Sequence, residues 1–517
     1  MNKGGTADSV FVYSSLTVVI LSGTFFIRQN EEGKMTIEEL RKLKETGRYD
    51  IAPVSREMLS DMKTPLEVLR ILKNVSDHCY LLESVADNDN WGRYTFLGYD
   101  PKHEITCLNG VLKIDKDVIM TNEPYKYIRN LLKTYKSPKV LGLPPFTGGL
   151  VGYFAYDYIK YVEPTLKLIE DDDEGFNDVD LMLFDKVIAF DHLKQKIILI
   201  ANIKLNDIDN EYKRAQKDLD GMVDLITNGK MSDDIKGYAK EEFKPEFSKE
   251  EFCEMVEKAK HHIIEGDIFQ IVLSNKLSAE FEGSLINTYR VLRTINPSPY
   301  MFYFGSNDLE IAGASPETLV KLEDGVLHTF PLAGTRPRGR NHDEDEALKE
   351  ELLRDPKELA EHNMLVDLGR NDIGRISKFG TVEVESLRDV LMFSHVMHIG
   401  STVRGIIKDS EDAMSAVGAI LPAGTLSGAP KIKACELINE FEKNKRGIYG
   451  GAIGYIDFTG NLDTCIAIRT AYKKKGKVFV RSGAGIVADS VPESEFTECL
   501  NKAAAVAKAI DMAKEVL

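Results

Sequence analysis

Pairs of apolar segments separated by a few polar residues recur along this chain, and they constrain its fold more than any other feature. The clearest pair lies in residues 186–203, KVIAFDHLKQKIILIANI, where two runs rich in Val, Ile and Leu flank a short polar segment. Such runs predict two antiparallel strands joined by a tight loop. Similar strand-rich runs lie at residues 78–85 and 103–114. Hairpins of this kind favour an antiparallel sheet over the parallel sheet of a strictly alternating α/β protein.

Helical segments lie between these strands without alternating with them one for one. We predict a helix from Lys249 to about Glu265, a strand over residues 268–281, a helix over residues 285–294 and a C-terminal helix from about Pro492. Helices interspersed with antiparallel hairpins are typical of the α+β class, which is the fold class that we predict.

A chain of 517 residues is longer than one hydrophobic core ordinarily supports. The segment 229–247, GKMSDDIKGYAKEEFKPEF, is polar and poor in apolar residues, which predicts a linker. We therefore predict an N-terminal lobe over residues 35–228 and a second unit over residues 248–517.

Residues 1–34 stand apart from this organisation. Residues 9–27 form an uncharged run about long enough to span a bilayer. The next methionine, Met35, opens a segment typical of a water-soluble helix, and no small-residue cleavage site follows the run. We interpret residues 1–34 as an extension outside the functional fold, with a membrane anchor or a signal as the alternative.

Composition excludes several classes of function. The net charge of −16, the pI of about 5.3 and the absence of a run rich in Lys and Arg argue against a nucleic-acid-binding surface. The six cysteines are scattered without paired spacing, which fits a reducing compartment, so we expect a cytoplasmic protein that does not depend on a membrane. A small anionic substrate would need local positive charge from Arg and Lys.

Two Glu-x-x-Glu pairs are candidates for a metal site: Glu358 with Glu361, and Glu495 with Glu498. Three-residue spacing places both carboxylates of a pair on one face of a helix. Carboxylates suit Mg²⁺, which takes a few of them and keeps several waters, whereas zinc would favour His or Cys. Ordinary helix-surface charge is the alternative explanation of each pair taken alone.

The second pair follows RSGAGIVADSVP, where we predict a strand ending in a Gly-rich turn and a helix beginning near Pro492. A helix N-terminus of this kind favours an anion. Lys502 lies one helical turn after Glu498, and Thr425 lies in PAGTLSGAPK. Arg469 ends the apolar run TCIAIRT, where a buried charge requires a carboxylate partner. That partner is either an internal Asp or Glu or the substrate, and the residues alone leave both open.

A series of motifs connects these segments. In order, they are SPYMFYF, IAGASPETLV, PLAGTRPRG, ELAEHNMLVDLGRNDIGR, FSHVMHIGSTVRG, LPAGTLSGAPK, YGGAIGY, CIAIRT and RSGAGIVADSVPESEFTE. The series resembles the chorismate-utilising enzymes, most closely the branch that forms anthranilate. The resemblance covers residue 248 to the C-terminus, and LLESV, GRYTFLGYDP and GGLVGYFAYD extend it over the N-terminal lobe. It implies an antiparallel β-sandwich flanked by helices, with chorismate and Mg²⁺ in a cleft of the C-terminal part.

The resemblance also implies a role for each matching residue. Glu361 and Glu498 would be the direct Mg²⁺ ligands, and Glu358 and Glu495 would act through metal-bound water. The residues that would contact the substrate and its two carboxylates are Gly334, Thr335, Tyr449, Arg469, Gly483, Ala484, Gly485 and Lys502. Thr425 would line the same pocket.

Glu317 of GASPETLV resembles the general acid of the family, which protonates the departing C4 hydroxyl of chorismate. His398 of VMHIG matches the histidine associated with the second step, in which the C2 proton and the enolpyruvyl group leave. Without the resemblance, a loop carboxylate that caps a turn and a structural histidine would be the ordinary interpretations.

Two further positions bear on the nucleophile that attacks C2. Aminodeoxychorismate synthases carry a lysine in the place of Ala333, and isochorismate and salicylate synthases carry a water-activating lysine in the place of Gln270. Both lysines are absent here, so the resemblance implies ammonia as the nucleophile, with anthranilate and pyruvate as products. The first alternative is an aminodeoxychorismate synthase component, and the second is a tryptophan-binding regulator that has lost catalysis.

None of the six cysteines lies in a Gly-x-Cys-x-Gly segment of the glutaminase kind. We therefore expect ammonia to come from a separate glutamine amidotransferase subunit, in a heterotetramer or a heterodimer. The resemblance further implies feedback inhibition by tryptophan at a site formed by Ser84 of LLES and by Pro299, Tyr300 and Met301 of PSPYM.

Overall fold

The structure, a computed structural model, describes most of the chain. It describes residues 35–85, 92–169, 172, 174–233, 237–392 and 396–516, together with the backbone of Ser9–Tyr13, Leu16–Leu21 and Thr24–Arg28. The side chains of the predicted N-terminal extension, residues 1–34, lie outside the described residues.

The helices in the described residues begin where the sequence offers caps. Thr36, Thr64 and Ser248 each accept a hydrogen bond from the backbone N–H three residues later, and the Glu at that position bonds back to the cap. The helices are α1 Ile37–Glu45, α2 Pro65–Lys73, α3 Pro124–Lys133, α4 Ile208–Asn228, α5 Lys249–Ile264, α6 Ile286–Ile295, α7 His342–Arg354, α8 Pro356–Gly374, α9 Ala413–Ile420, α10 Lys431–Glu442 and α11 Pro492–Met512.

The strands pair almost entirely antiparallel, as the hairpin pattern predicts. They are β1 Ser9–Tyr13, β2 Leu16–Leu21, β3 Thr24–Arg28, β4 Ile51–Leu59, β5 Cys79–Glu83, β6 Tyr94–Tyr99, β7 His103–Leu108, β8 Val111–Ile114, β9 Asp117–Met120, β10 Val140–Leu141, β11 Gly149–Phe154, β12 Val179–Phe184, β13 Lys186–Asp191, β14 Lys196–Lys204, β15 Tyr238–Ala239, β16 Lys244–Pro245, β17 Gln270–Glu282, β18 Tyr300–Ser306, β19 Leu309–Ser315, β20 Thr318–Glu323, β21 Val326–Thr329, β22 Leu332–Pro337, β23 Glu383–Met392, β24 Val396–Ile406, β25 Gly428–Ala429, β26 Ala452–Asp457, β27 Leu462–Ile466, β28 Thr470–Lys474 and β29 Lys477–Ile486.

Two large sheets organise these strands. The first sheet runs in the order β15-β17-β29-β28-β19-β18-β5-β6-β13-β14-β4, with β16 and β25 also paired to β17. The second sheet runs in the order β22-β24-β21-β20-β27-β26-β11-β12-β7-β8-β9, with β23 also paired to β24. A small separate sheet joins β1, β2, β3 and β10.

The two large sheets pack face to face through a core rich in aromatic rings. Tyr80 of the first sheet contacts Phe184 of the second with ring centroids 4.8 Å apart, edge to face. Phe96 contacts Phe146, which precedes β11, at 5.6 Å. Helices α1, α2, α4, α6 and α11 pack on the outer face of the first sheet, and α3, α8 and α9 pack on the outer face of the second. The predicted α+β sandwich flanked by helices is confirmed.

Both sheets contain strands from either side of the predicted linker. In the first sheet Tyr303 of β18 pairs with Leu81 of β5, and in the second Gly152 of β11 pairs with Gly454 of β26. A Cβ at Gly152 would lie 2.1 Å from the carbonyl oxygen of Asp180, so only glycine fits there. The motifs GGLVGYFAYD and YGGAIGY therefore meet as neighbouring strands. The boundary at 229–247 stays a prediction, and that segment contains the short strands β15 and β16 on the edge of the first sheet.

The described part of the chain contains no helix of sufficient length and apolar character to cross a membrane.

Candidate active site

Glu317 lies in the short connection between β19 and β20, and its side chain is enclosed by protein. The Thr425 hydroxyl donates a hydrogen bond of 2.9 Å to Glu317 Oε1. Burial raises the pKa of Glu317 to about 7, while the Thr425 hydrogen bond and the charge of Lys502 oppose that rise. A carboxyl group with this pKa is partly protonated at neutral pH, which is what a general acid requires. The sequence-predicted residues Glu317 and Thr425 are thus in direct contact.

His398 lies on β24 opposite β22, where the pairing register shifts between Ala333 and Thr335. At this bulge Gly334 has φ +67. His398 Nδ1 lies 3.0 Å from the Gly334 carbonyl oxygen and 3.1 Å from Thr335 Oγ1. A carbonyl can only accept a hydrogen bond, so Nδ1 carries the proton and Nε2 of the neutral ring carries a lone pair. Burial lowers the pKa of His398, the hydrogen bond to Gly334 opposes that change and the charge of Arg469 supports it, so the net lowering favours the neutral ring.

Arg469 follows β27 with a left-handed backbone, φ +53. Its side chain is largely buried, and burial lowers its pKa. Within the described residues the guanidinium forms no salt bridge with an Asp or Glu, so the internal partner that the sequence left open is not found there. A buried cation without an internal anion is costly, and an anionic ligand would relieve that cost.

Gly483, Ala484 and Gly485 lie inside strand β29, paired with β17, and not in a turn. The predicted strand end in a Gly-rich turn is therefore wrong: the turn lies after residue 486, and α11 begins at Pro492 as predicted. The glycines instead make room for neighbours. A Cβ at Gly483 would lie 2.8 Å from the Tyr449 hydroxyl oxygen, and one at Gly485 would lie 2.9 Å from Gln270 Nε2.

Lys502 of α11 connects this strand to the carboxylates. Its ammonium group donates to the Gly483 carbonyl at 3.1 Å and pairs with Glu498 at 2.7 Å. Arg469, Glu498 and Lys502 line one open cleft of about 580 Å³, together with Glu493, Ser494, Thr497 and Asn501. The cleft therefore offers an anionic substrate two cationic groups, Arg469 and Lys502, although its lining also contains the carboxylates Glu493 and Glu498.

The two Glu-x-x-Glu pairs lie on α8 and α11, as predicted. Burial raises the pKa of Glu361, and the charges of Glu358 and Glu498 raise it further, so the two helices bring their carboxylates into electrostatic contact. The pKa of Glu495 is raised by burial and then by Glu498. No group of three or more His, Cys, Asp or Glu in the described ranges is gathered as a metal site.

Arg336 is a residue of this site that the sequence analysis quoted in TRPRG but gave no role. Its guanidinium lies 3.5 Å from Glu358 and pairs with Glu351 and Asp355, each at 2.9 Å. Asp355 caps the start of α8. Arg336 therefore orients the helix that carries Glu358 and Glu361. The signal that could have found it is an Arg adjacent to the predicted anion loop.

Ala333 and Gln270, the two positions that bear on the nucleophile, are both buried. Ala333 lies on β22 beside the bulge, and Gln270 begins β17 next to Gly485. Neither supplies an amine at the site.

The predicted tryptophan segments also meet. β5 and β18 are paired, so that Met301 lies opposite Glu83, and Val85 N–H donates to the Ser298 carbonyl at 3.1 Å. Ser84 Oγ is buried and has no hydrogen-bond partner among the described residues, which exclude its neighbours 86–91. The Tyr300 hydroxyl donates to Asp463 at 2.8 Å.

Comparison with known proteins gives a consistent result. A family model described as chorismate binding enzyme matches residues 77–508. Anthranilate synthase component 1 of Acetivibrio thermocellus is 46% identical over 480 residues, covering 90% of this chain and 97% of the relative. The corresponding protein of Aquifex aeolicus (strain VF5) is 44% identical over 501 residues, covering 93% of this chain and 98% of the relative.

Solved structures agree. Anthranilate synthase component I from Streptococcus pneumoniae TIGR4 is 38% identical and superposes with a TM-score of 0.71, covering 82% of this chain and 94% of that chain. The menaquinone-specific isochorismate synthase MenF from Escherichia coli, at 18% identity and a TM-score of 0.67 over 91% of this chain and 98% of its own, shares the fold. This chain belongs to the chorismate-binding enzymes and, within them, to the anthranilate synthase component 1 family.

Proposed function

We propose that this chain converts chorismate and ammonia to anthranilate, pyruvate and water, with Mg²⁺ bound at the carboxylates of α8 and α11. The observations that carry the proposal are two buried groups: Arg469, which lines the open cleft, and Glu317, whose carboxyl group is within electrostatic reach of the cleft residue Lys502. Arg469 lacks an internal anion among the described residues, and Glu317 has a pKa of about 7. Chorismate carries two carboxylates for a cation and a hydroxyl leaving group for an acid.

In the first step ammonia attacks C2 of the ring while the C4 hydroxyl leaves. Glu317 gives its proton to that hydroxyl, which departs as water, and Thr425 holds the Glu317 carboxyl in place. Tyr449, Lys502 and the Gly483–Gly485 backbone bind and orient the substrate carboxylates with Arg469.

In the second step the C2 proton and the enolpyruvyl group leave and the ring becomes aromatic. Nε2 of neutral His398 accepts the C2 proton, because Nδ1 is held as a donor by the Gly334 carbonyl. The enolpyruvyl group takes up a proton and leaves as pyruvate, so nitrogen, protons and carbon balance across the two steps.

Ammonia is the nucleophile that the site can accept without a further base. Ala333 and Gln270 occupy the places where other branches of the family carry lysine, and neither side chain can attack or deprotonate water. Ammonia needs no deprotonation before attack.

The residues present fit Mg²⁺ by their chemistry. Hard cations take carboxylate oxygens, and the pKa of Glu361 is raised first by burial and then by the charges of Glu358 and Glu498, so a cation bound there would be favourable. Glu361 and Glu498 would hold the metal directly, with Glu358 and Glu495 through water. The bound ion would neutralise a substrate carboxylate.

We further propose that a separate glutaminase subunit supplies ammonia from glutamine. Glutamine hydrolysis of that kind uses a cysteine thiolate, yet the pKa of each of the six thiols is raised, mainly by burial, and reaches about 12 for Cys79. None is activated as a nucleophile. The relatives are named component 1, which supports a second component.

Feedback inhibition by tryptophan is the last part of the proposal. The paired segments β5 and β18 place Ser84 next to residues 299–301, and the buried Ser84 hydroxyl lacks a partner among the described residues. An unpaired buried hydroxyl suits a ligand that supplies a hydrogen bond. The site lies on the first sheet, where Tyr300 pairs with Ser315, two residues before Glu317.

The test is product analysis after the purified chain is incubated with chorismate, Mg²⁺ and an ammonium salt. We expect fluorescent anthranilate. A non-aromatic 4-amino product would instead identify an aminodeoxychorismate synthase. Binding of tryptophan with no consumption of chorismate would identify a regulator without catalysis, and either result overturns the proposal.

A further inference from the structure

Arg446 lies between α10 and β26 and is almost completely buried, with 3% of its surface exposed. Its nitrogens donate hydrogen bonds to three different parts of the fold. Nε and Nη2 donate to the Glu442 carboxylate at 2.9 and 2.6 Å. Nη1 donates to the Leu426 carbonyl at 2.6 Å, and Nη2 also donates to the Val272 carbonyl at 2.7 Å.

The two carbonyls belong to the two sides of the candidate active site. Leu426 ends the 3₁₀ turn Gly424–Leu426, whose central residue Thr425 bonds to Glu317. Val272 on β17 is the pairing partner of Gly485 on β29. One guanidinium therefore connects the turn beside the proposed acid with β17, the strand paired with the proposed carboxylate-binding backbone of β29.

The same guanidinium also packs against aromatic rings. Its central carbon lies 4.7 Å from the centroid of the Tyr156 ring and 5.8 Å from that of the Tyr449 ring. Arg481 approaches the Tyr449 ring at 6.0 Å. Tyr449 is buried, and its hydroxyl lies against Gly483. Arg446 thus contributes to the position of Tyr449 as well.

We propose that Arg446 is a positioning residue for the reaction. It holds the Thr425 turn in place, so that Thr425 stays bonded to Glu317 and the turn keeps its position relative to β17 and β29. The inference rests on the proposed function, because it assigns Glu317 as the general acid. A lysine could neutralise Glu442, but its donors all sit on one nitrogen, whereas the planar guanidinium presents three nitrogens that donate in fixed diverging directions.

Arg481 provides a matched control. It is as deeply buried as Arg446 and binds the same Glu442 carboxylate at 2.8 Å. Its other hydrogen bonds go to Ser274, Asn444 and the Lys445 carbonyl, and none goes to the Thr425 turn. Arg481→Lys should therefore disturb the same buried ion network and leave the hydrogen bond between Thr425 and Glu317 intact.

The distinguishing readout is the pH dependence of the reaction. The groups that act on Glu317 are the Thr425 hydroxyl and the charge of Lys502 on α11. Asp372, which is paired with Lys431, lines the same small cavity as Glu317. The Thr425 hydrogen bond favours ionised Glu317. Loss of this hydrogen bond leaves Glu317 protonated to higher pH, so the descending limb of the pH–rate profile moves to higher pH.

The experiment compares the wild-type protein, Thr425→Val, Arg446→Lys, the double variant and Arg481→Lys. Rates at each pH are divided by the concentration of free ammonia at that pH, which cancels the common titration of ammonium and leaves the limb due to the protein. We expect Thr425→Val and Arg446→Lys each to move the descending limb to higher pH by roughly one unit. The double variant should move it no further than either single variant. In Arg446→Lys kcat should fall about tenfold or more.

An unshifted limb in Arg446→Lys, or an equal shift in Arg481→Lys, would overturn the inference. If Arg446→Lys does not fold, Glu442→Gln takes its place, and we expect the same shift of the descending limb. Loss of folding in both variants counts against a positioning role. A wild-type protein that forms no anthranilate would refute the proposed function itself, which is a separate result.

Discussion

Glu317, the proposed general acid, has a cost in stability that can be stated for this single residue. Its pKa of about 7 in the folded state lies above the ordinary value of 4.5, because the carboxyl group is buried. Between these two pH values the unfolded chain loses the proton and the folded chain keeps it. The free energy of unfolding therefore falls as the pH rises through this window.

We predict that Glu317→Gln abolishes anthranilate formation and yet stabilises the protein at pH 8, by on the order of 3 kcal/mol. Denaturant unfolding at pH 8 and at pH 5 measures the effect, which should shrink at pH 5. The control is Glu310→Gln, since Lys73 and Lys473 hold the pKa of buried Glu310 below its usual value. That change should destabilise the protein, and a stabilised control would contradict the explanation.

A second residue-scale prediction concerns Glu361. We expect Glu361→Gln to reduce the apparent affinity for Mg²⁺ by about 100-fold. In the absence of Mg²⁺ the variant should melt at a higher temperature than the wild-type protein, because a repelling carboxylate is removed. Melting curves with and without Mg²⁺ measure both effects, with Asp367→Asn on the exposed side of the same helix as the control. Unchanged stabilisation by Mg²⁺ would exclude Glu361 as a ligand.

At the scale of elements, the bulge in β22 fixes His398 through the Gly334 carbonyl. Gly334 has φ +67, and a Cβ there would lie 3.0 Å from Leu352 and 3.2 Å from Glu358. We predict that Gly334→Ala costs about 1–2 kcal/mol of stability and lowers kcat about tenfold. Gly380 is the control, because it has φ +76 and open space around it. Gly380→Ala should lose similar stability with normal kcat; equal kcat values in the two variants would be inconsistent with the role of the bulge.

The pairing of β5 with β18 carries the prediction on inhibition. Ser84→Phe should fill the space at the buried hydroxyl and raise the tryptophan concentration for half-inhibition at least tenfold, with uninhibited turnover close to wild type. Ser84→Ala, which removes only the hydroxyl, should weaken inhibition less. Inhibition curves at fixed chorismate decide the matter. Loss of catalysis together with inhibition, or wild-type insensitivity to tryptophan, counts against a separate site.

Most elements could be predicted from local patterns because hairpins and capped helices are specified by neighbouring residues. The helix at Lys249 and the hairpin of residues 186–203 are examples that are confirmed. The turn predicted at Gly483–Gly485 is wrong because glycine usually marks a turn. Here the glycines lie in a strand and leave room for the Tyr449 hydroxyl and the Gln270 amide, which approach the backbone closely. Only distant contacts reveal this, and the same holds for Arg446, whose partners lie on separate elements.

At the scale of the whole molecule, the shared sheets place the cleft and the Ser84 segment in one continuous framework. The thiols of this framework are not activated, so the chain should depend on free ammonia. We predict that glutamine supports less than about 1% of the ammonia-dependent rate with the purified chain. Adding a glutaminase component should restore glutamine-dependent turnover. Substantial use of glutamine by the chain alone would disprove this division of labour.

The central claim is that this chain transfers ammonia to chorismate and releases pyruvate. The most direct measurement supplies the purified protein with chorismate, Mg²⁺ and ¹⁵N-labelled ammonium and follows both products by mass spectrometry. We expect ¹⁵N-labelled anthranilate and pyruvate in equal amounts, and neither product with Glu317→Gln. Isochorismate, a labelled non-aromatic amine without pyruvate, or unchanged chorismate would contradict it.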